Sequence, residues 1–447
     1  MTQAGEVASE PAGPSAARTR RTPAELFQIP IDRLARLIEP VIPSPQMVLV
    51  LVLLAALLVR IGWLDRPDDA LIFDEAYYIN AARVIIDYPV EEGDHYSDGE
   101  RGIDPNREHP PLGKLMIAGS MKVFGDEPLG WRFPSIVAGM LSVLLIYGIV
   151  RAAGGDPWLG VLAAGLLALE NLSLVHSRIG TLDMTMTVFM LAAAWCYLKG
   201  WPLFAGLMCA IAAMIKLIGV YALAALLLVE LYPITRAWLD SGRFSLKSLL
   251  SGAKMTASFV IVWVAGMWAL DLWVTNFDTP FAHLDFILDY GFALTREGGP
   301  ANQESDPWQW LINEVPMTYL RVDENISLDD DSELSRVIIY FRGAMNPVIM
   351  GAAPLGLAYA AYRTWKHADK LALWTAAWFV ATFTPFFLAS LLADRITYIF
   401  YALPIVPAFV VGLALVLRRA GLPAIVLWGF VIFVVIAFIG YYPIRRF

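Results

Sequence analysis

The sequence predicts an all-α protein that crosses a membrane many times. Three observations carry this. Of 447 residues, 58% are hydrophobic and only 17% charged, with a mean hydropathy of +0.58; ordinary soluble domains carry about 25% charged residues. The apolar residues gather into runs close to the ~20 residues that a spanning helix needs. Those runs are continuous and not alternating, which favours helices over a closed barrel, the other architecture that satisfies every backbone group in lipid.

Taken in chain order, residues 1–24 are rich in Ala, Pro, Ser, Thr and Arg and predict disorder. Residues 25–39 (ELFQIPIDRLARLIE) predict a short amphipathic helix on the membrane surface. Together 1–46 form an N-terminal tail. Eleven spans follow, near 47–64, 131–151, 157–175, 181–199, 202–216, 217–233, 255–273, 346–363, 371–391, 398–417 and 422–441, leaving a short tail at 442–447. Residues 112–124 are apolar but short, and carry Lys114 and Lys122; they read as a helix lying on or dipping into the membrane. Cys196 and Cys209 fall inside apolar runs and read as packing residues. No Gly-rich phosphate loop, CxxC pair or zinc-spaced His pair occurs. Sequons stand at Asn171 and Asn325.

The excess of cations in cytoplasmic loops sets direction. With the N-terminus cytoplasmic, every short inner connection carries at least one cation, among them Arg151, Lys199, Arg236, Arg363 and Arg418. The long connections 66–130 and 271–343, rich in acids, then lie outside and form the external face; Arg445 and Arg446 dissent.

On that face the ionisable residues collect. They are Asp74 and Glu75 in "LIFDEAYYIN", Glu108, His109 and Lys114 in "REHPPLGKL", Arg132 in "GWRFPS", Arg178 and Asp183 in "HSRIGTLD", Lys216 in "AMIKLIG", and Arg395 in "ADRITYIFYALP". Charges at a membrane boundary are expensive and point to function. Carboxylates suit a general base or a metal ion; arginines at that depth suit a phosphate. The set therefore suggests group transfer from a lipid phosphate to an acceptor hydroxyl. The leaving phosphate needs cations, and the poorly nucleophilic alcohol needs a base. The blander readings are a helix cap for Asp74 and Asp183, a snorkelling interface anchor for Arg132 and Arg178, and an interfacial belt for Tyr77, Tyr78, Trp131, Tyr398, Phe400 and Tyr401. His95, His283 and His367 read as loop residues.

In "FDEAYY", "HPPLGK", "GWRFPS", "SRIGTLD" and the lysine of "MIKLIG", with a looser match at "DRITYIFYALPIVP", the chain resembles the protein O-mannosyltransferases, GT-C glycosyltransferases of the membrane. The resemblance covers roughly 47–417. It implies the GT-C fold, about eleven transmembrane helices, a catalytic first external loop and a cytoplasmic N-terminus in the plasma membrane. It implies an inverting transfer of mannose or a similar sugar from a polyprenyl- or dolichyl-phosphate donor to Ser or Thr of translocated proteins. Asp74 then matches the catalytic acid and Glu75 its partner. Arg132 matches a functionally required Arg, and Arg178, Lys216 and Arg395 fall where donor phosphate contacts are expected. Glu108, His109, Lys114 and Asp183 are further site candidates. Asp183 matches the acid of an "LLD"-type motif in which Thr181 here replaces the first Leu.

The connection 271–343 is too short for the β-trefoil insert of eukaryotic members, so the resemblance is to the prokaryotic branch. No WW pair of the related oligosaccharyltransferases occurs. Those enzymes use a divalent ion, which leaves Mg or Mn open here, with Asp74, Glu75 and Glu108 able to supply oxygens. Aminoarabinose transferases share the DE and "PPL" arrangement, so a lipid or glycan acceptor stays open beside a protein one. A transporter of lipid-linked sugar would place charges at the bilayer midplane in related halves; no repeat is found. Nucleic acid is not an expected partner.

Overall fold

The computed structural model describes residues 44–67, 70–242, 249–295, 303–327 and 333–444. The expected N-terminal tail, its surface helix at 25–39, and Arg445 and Arg446 lie outside them. The chain enters the bundle with α1 (Pro45–Ile61), and the first long connection folds into α2 (Glu75–Ile85) and α3 (Leu112–Phe124). Then come α4 (Pro128–Ala152), α5 (Pro157–Ala168), α6 (Asn171–His176), α7 (Leu182–Leu198), α8 (Pro202–Ile215), α9 (Tyr221–Ser241) and α10 (Leu250–Val274). The second long connection holds α11 (Pro280–Ala293), α12 (Pro307–Trp310) and the strands β1 (Met317–Ser327) and β2 (Glu333–Gly343). The chain closes with α13 (Pro347–His367), α14 (Lys370–Ala393), α15 (Val406–Arg419) and α16 (Ala424–Gly440).

Sequence dictates most of these starts. Proline, whose missing N–H is not needed in a first turn, opens α1, α4, α5, α8, α11 and α13. Ser44, Asp156, Thr279, Asn346 and Asp369 place side-chain oxygens on the first free N–H groups of α1, α5, α11, α13 and α14. The apolar segments expected from sequence fall on helix, the one at 157–175 divided between Pro157–Ala168 and Asn171–His176. Five are long and apolar enough by themselves to cross a membrane: Pro128–Ala152, Leu217–Ser241, Leu250–Val274, Lys370–Ala393 and Ile399–Arg419. The last runs through the centre, 89% of its span buried; Leu250–Val274, at 22%, lines the outside. Gly356 and Gly412 let α13 and α15 touch backbone to backbone, since a Cβ on Gly356 would stand 2.7 Å from the carbonyl carbon of Gly412.

Two departures from the sequence reading follow. The second long connection, read from sequence only as an acid-rich external segment, contains an antiparallel hairpin, paired from Met317↔Gly343 through Arg321↔Tyr340 to Ile326↔Leu334. And the sequon residue Asn171 is buried, its side-chain amide donating to the Phe438 carbonyl at 3.1 Å, so in the folded protein it presents no acceptor for glycosylation.

The helix ends sort into two groups. At one end Arg363 and Arg419 share Asp369, and Arg418 meets Asp156. At the other, the starts of α2, α4 and α7 meet the ends of α1, α8 and α10 together with both long connections. All the candidate site residues lie at this second end.

Candidate active site

Asp74 stands one residue before α2, and its carbonyl accepts from the N–H groups of Tyr77 and Tyr78 at 3.0 Å each. On a helix, neighbouring residues point about 100° apart, so Asp74 and Glu75 have different surroundings. Glu75 is fully buried. Its Oε1 accepts from Arg132 Nε at 2.8 Å and the Gly180 N–H at 2.6 Å; its Oε2 accepts from Arg132 Nη2 at 2.8 Å and the Ile72 N–H at 2.7 Å. A carboxylate offers about four acceptor directions, and all are taken. The remaining donors of Arg132 reach the carbonyls of Leu64 and Ala70. This pair ties α2, α4 and the turn before α7 into one rigid corner. Gly180 makes that possible, since a Cβ there would lie 2.8 Å from the Trp131 carbonyl oxygen.

Asp74, by contrast, is partly open. Tyr78 donates to its Oδ2 at 3.4 Å. Burial pushes its carboxyl up to about 7. The charge of Lys216 pulls against that rise, while those of Asp183 and Glu108 add to it. Lys216 and Asp183 form a buried ion pair at 2.8 Å. Lys216 sits in an extended break (φ −150°, ψ 130°) between α8 and a 3₁₀ turn at Leu217–Val220, with its ammonium 5.3 and 5.7 Å from the ring centres of Phe400 and Tyr401. Asp183 Oδ2 has no hydrogen-bond partner among the described residues.

Lys114 is fully buried beneath the loop that precedes it. It pairs with Asp104 at 2.6 Å and donates to the carbonyls of Asn106 and of His109, the latter at 2.8 Å. It fixes the loop from which Glu108 and His109 reach the site. Glu108 accepts from Asn106 Nδ2 at 2.6 Å and Tyr96 Oη at 3.5 Å. Burial, reinforced by the positive charges of Lys216 and Lys114, holds His109 well below the usual histidine range, so its ring is neutral at pH 7.

The other two arginines differ sharply. Arg178 caps the end of α1, donating to the carbonyls of Val59, Arg60, Gly62 and Trp63 and to Tyr442. A cation over the last carbonyls of a helix complements its dipole. Arg395 is half-exposed, and among the described residues its guanidinium has neither an ion pair nor a hydrogen bond. Its charge bears on His109 and on Tyr290 of α11. A Cβ on Gly291 would lie 3.1 Å from its Nη1.

The fold thus gathers Asp74, Glu108, His109, Asp183, Lys216 and Arg395 within electrostatic reach of one another. It places Glu75, Arg132 and Lys114 immediately behind them and sets Arg178 at the end of α1. Two residues escape the sequence reading. Tyr78, assigned to an interfacial belt, is 3% exposed and bonded to Asp74. Tyr319, on β1, stacks on Phe73 with centres 4.1 Å apart and meets His176 Nε2 at 2.9 Å. Only its place on the hairpin brings Tyr319 here, and no local motif could announce it.

The expected oxygen set does not fit a divalent ion as placed. Glu75 has no free lone pair, Asp74 faces the Lys216 charge, and no group of three or more His, Cys, Asp or Glu among the described residues is arranged around a metal.

Comparison with known proteins finds similar membrane glycosyltransferases, among them protein mannosyltransferases and an undecaprenyl phosphate-aminoarabinose arabinosyl transferase of Pseudomonas paraeruginosa, 29% identical over 217 residues, 46% of this chain and 37% of that one. Residues 108–268 match the family model of dolichyl-phosphate-mannose-protein mannosyltransferase. The chain is 23% identical over 414 residues to a polyprenol-phosphate-mannose–protein mannosyltransferase of Corynebacterium glutamicum, covering 77% of this chain and 76% of that one. It is 26% identical over 450 residues to the enzyme of that name from Mycobacterium tuberculosis, covering 83% and 82%. The fold resembles the protein O-mannosyltransferase Pmt1-Pmt2 complex of Saccharomyces cerevisiae bound to the sugar donor, with a TM-score of 0.66 at 12% identity over 90% of this chain and 89% of that one. The chain is a multi-pass helical membrane protein with the fold of the Pmt1-Pmt2 complex, and over about four-fifths of its length its sequence is similar to polyprenol-phosphate-mannose–protein mannosyltransferases.

Proposed function

We propose that this protein moves a mannosyl unit from a polyprenyl-phosphate donor to Ser or Thr hydroxyls of translocated proteins. The observation that carries the reading is the gathering of a partly open carboxylate, Asp74, and a half-exposed guanidinium, Arg395, without an ion pair among the described residues, around the buried Lys216–Asp183 pair. The relatives' names supply the donor and acceptor classes.

Asp74 takes the proton of the acceptor hydroxyl as its oxygen attacks the anomeric carbon. The bond from that carbon to the phosphate oxygen breaks, and the electron pair leaves with the polyprenyl phosphate, whose charge Arg395 and Lys216 stabilise. A single displacement inverts the sugar. Glu75 and Arg132 act as positioning residues that hold the corner from which Asp74 projects. Base catalysis of this kind contributes ~10²–10⁴-fold, and electrostatic stabilisation of the leaving group a similar share. The oxygens present do not fit a divalent ion, so transfer should be retained in chelator.

The placement of the N-terminus in the cytoplasm and the site outside is supported by the cations gathered at the bundle end opposite the site, Arg151, Arg236, Arg363, Arg418 and Arg419 among them. The direct test is transfer of labelled mannose from the lipid donor by purified protein offered peptide, lipid and glycan acceptors in parallel. Labelled peptide is the expected product, and Asp74→Asn should lower the rate at least ~10²-fold while still binding donor. Labelling confined to the lipid or glycan would overturn the acceptor assignment; an unaltered rate in the variant would overturn the base.

A further inference from the structure

His283, which the sequence marks only as a loop residue, is fully buried and engaged through both ring nitrogens. Nδ1 lies 2.6 Å from Asp271 Oδ1 at the end of α10, and Nε2 lies 2.9 Å from the backbone carbonyl of Arg107. A carbonyl oxygen only accepts, so Nε2 carries a proton. A neutral imidazole has no second one. With Asp271 ionised, Nδ1 would then turn a lone pair toward a carboxylate lone pair at 2.6 Å.

We propose that His283 is held as an imidazolium by Asp271, and that this charged pair positions the Glu108–His109 loop for the transfer reaction. The surroundings favour that proton placement. Thr275 Oγ1 also reaches Asp271 Oδ1, at 3.1 Å, stabilising a negative carboxylate. Phe277 stacks on the imidazole at 4.2 Å, offering a π face to a cation. Asp104, on the loop, adds a negative charge felt by the pair, partly offset by its own partner Lys114. Arg107, whose guanidinium lies 5.9 Å from the Phe277 ring, opposes it. The pair is net neutral, which suits its complete burial; losing its proton would leave an uncompensated buried charge.

The consequence is mechanical. The loop from Asp104 to His109 hangs on the rest of the protein by Lys114 below, by the Asp104 N–H on the Val274 carbonyl at 2.7 Å, and by His283 on the Arg107 carbonyl. Residue 107 immediately precedes Glu108, so the latch sets where Glu108 and His109 stand beside Asp74. His283 and Asp271 are positioning residues, and the proposal rests on the transferase reading only for its activity arm.

The test has two arms that fail separately. In the first, ¹⁵N-His-labelled protein in nanodiscs is examined by NMR at neutral pH, His283 being assigned by difference with His283→Gln among the five histidines. Both nitrogens should carry the imidazolium signature. Asp271→Asn should convert the ring to the neutral Nε2–H tautomer, because an amide can donate to Nδ1. A neutral ring in the native protein would overturn the proposal whatever the activity. In the second arm, mannosyl transfer by His283→Gln should fall about 10- to 100-fold in kcat with donor KM little changed, the scale of a small misplacement of reacting groups. Asp271→Asn, which keeps the contact without the charge, should retain most of the rate. Equal loss in both variants would mean a merely structural role and sink the positioning claim.

Discussion

Asp74 and Glu75 are adjacent carboxylates with opposite occupations. Asp74, raised to about 7 by burial, must be ionised to accept a proton, so transfer should rise with pH through about 7 and level off above it. Lys216 is the cation that lowers this carboxyl. Lys216→Met removes it and should move the rising limb to higher pH, besides lowering the plateau; rate–pH profiles of both proteins check the direction. Glu75 and Arg132 belong to stability first. Breaking a buried ion pair by deleting one partner costs ~3–5 kcal/mol, so Glu75→Ala should lower thermal stability far more than Asp74→Asn. Thermal unfolding in detergent would read the contrast, and equal effects would contradict the division of labour. The sequence singled out both acids and the arginine. It could not say which acid was spoken for, because that depends on Gly180 and Ile72 supplying N–H donors from the corner they form with it.

At the scale of elements, the site is built from helix ends. α1 stops against Arg178, which collects the carbonyls of Val59, Arg60, Gly62 and Trp63 that a helix terminus leaves over. The resemblance assigns Arg178 to the donor phosphate; in the fold its hydrogen bonds run to the end of α1 and to Tyr442. Arg178→Ala should therefore unfold at lower temperature, by on the order of 2 kcal/mol of lost stability at a partly buried helix end, with donor affinity following only as the fold loosens. A selective loss of donor binding with unaltered melting would return Arg178 to the phosphate. The break at Lys216 was legible as a lysine between two apolar half-runs. The hairpin was not: "TYLRVD" and "SRVIIYF" carry the β-branched and aromatic residues of strands, but the acids around them break the alternation that announces a strand. Its tertiary partner is the Phe73–Tyr319 stack.

For the whole molecule, the decisive feature is the division of charge between the two ends of the bundle. An impermeant thiol reagent should label Asp98→Cys, exposed in the first long connection, in intact cells, and Lys366→Cys, exposed at the other end, only after permeabilisation. Cys196 and Cys209 are buried, so the native background is low. The opposite pattern would invert the proposed topology. Length, hydropathy and the rhythm of cations determined by themselves that the chain is a helical membrane bundle and where its apolar segments fall, because these follow from burial of each segment in lipid taken alone. Tertiary structure alone decided which charges are spent on one another and which remain for a substrate. Arg132, Arg178 and Arg395 look alike in a sequence, but a guanidinium ends up bound or free according to the carbonyls and carboxylates that distant segments bring within about 3 Å of it.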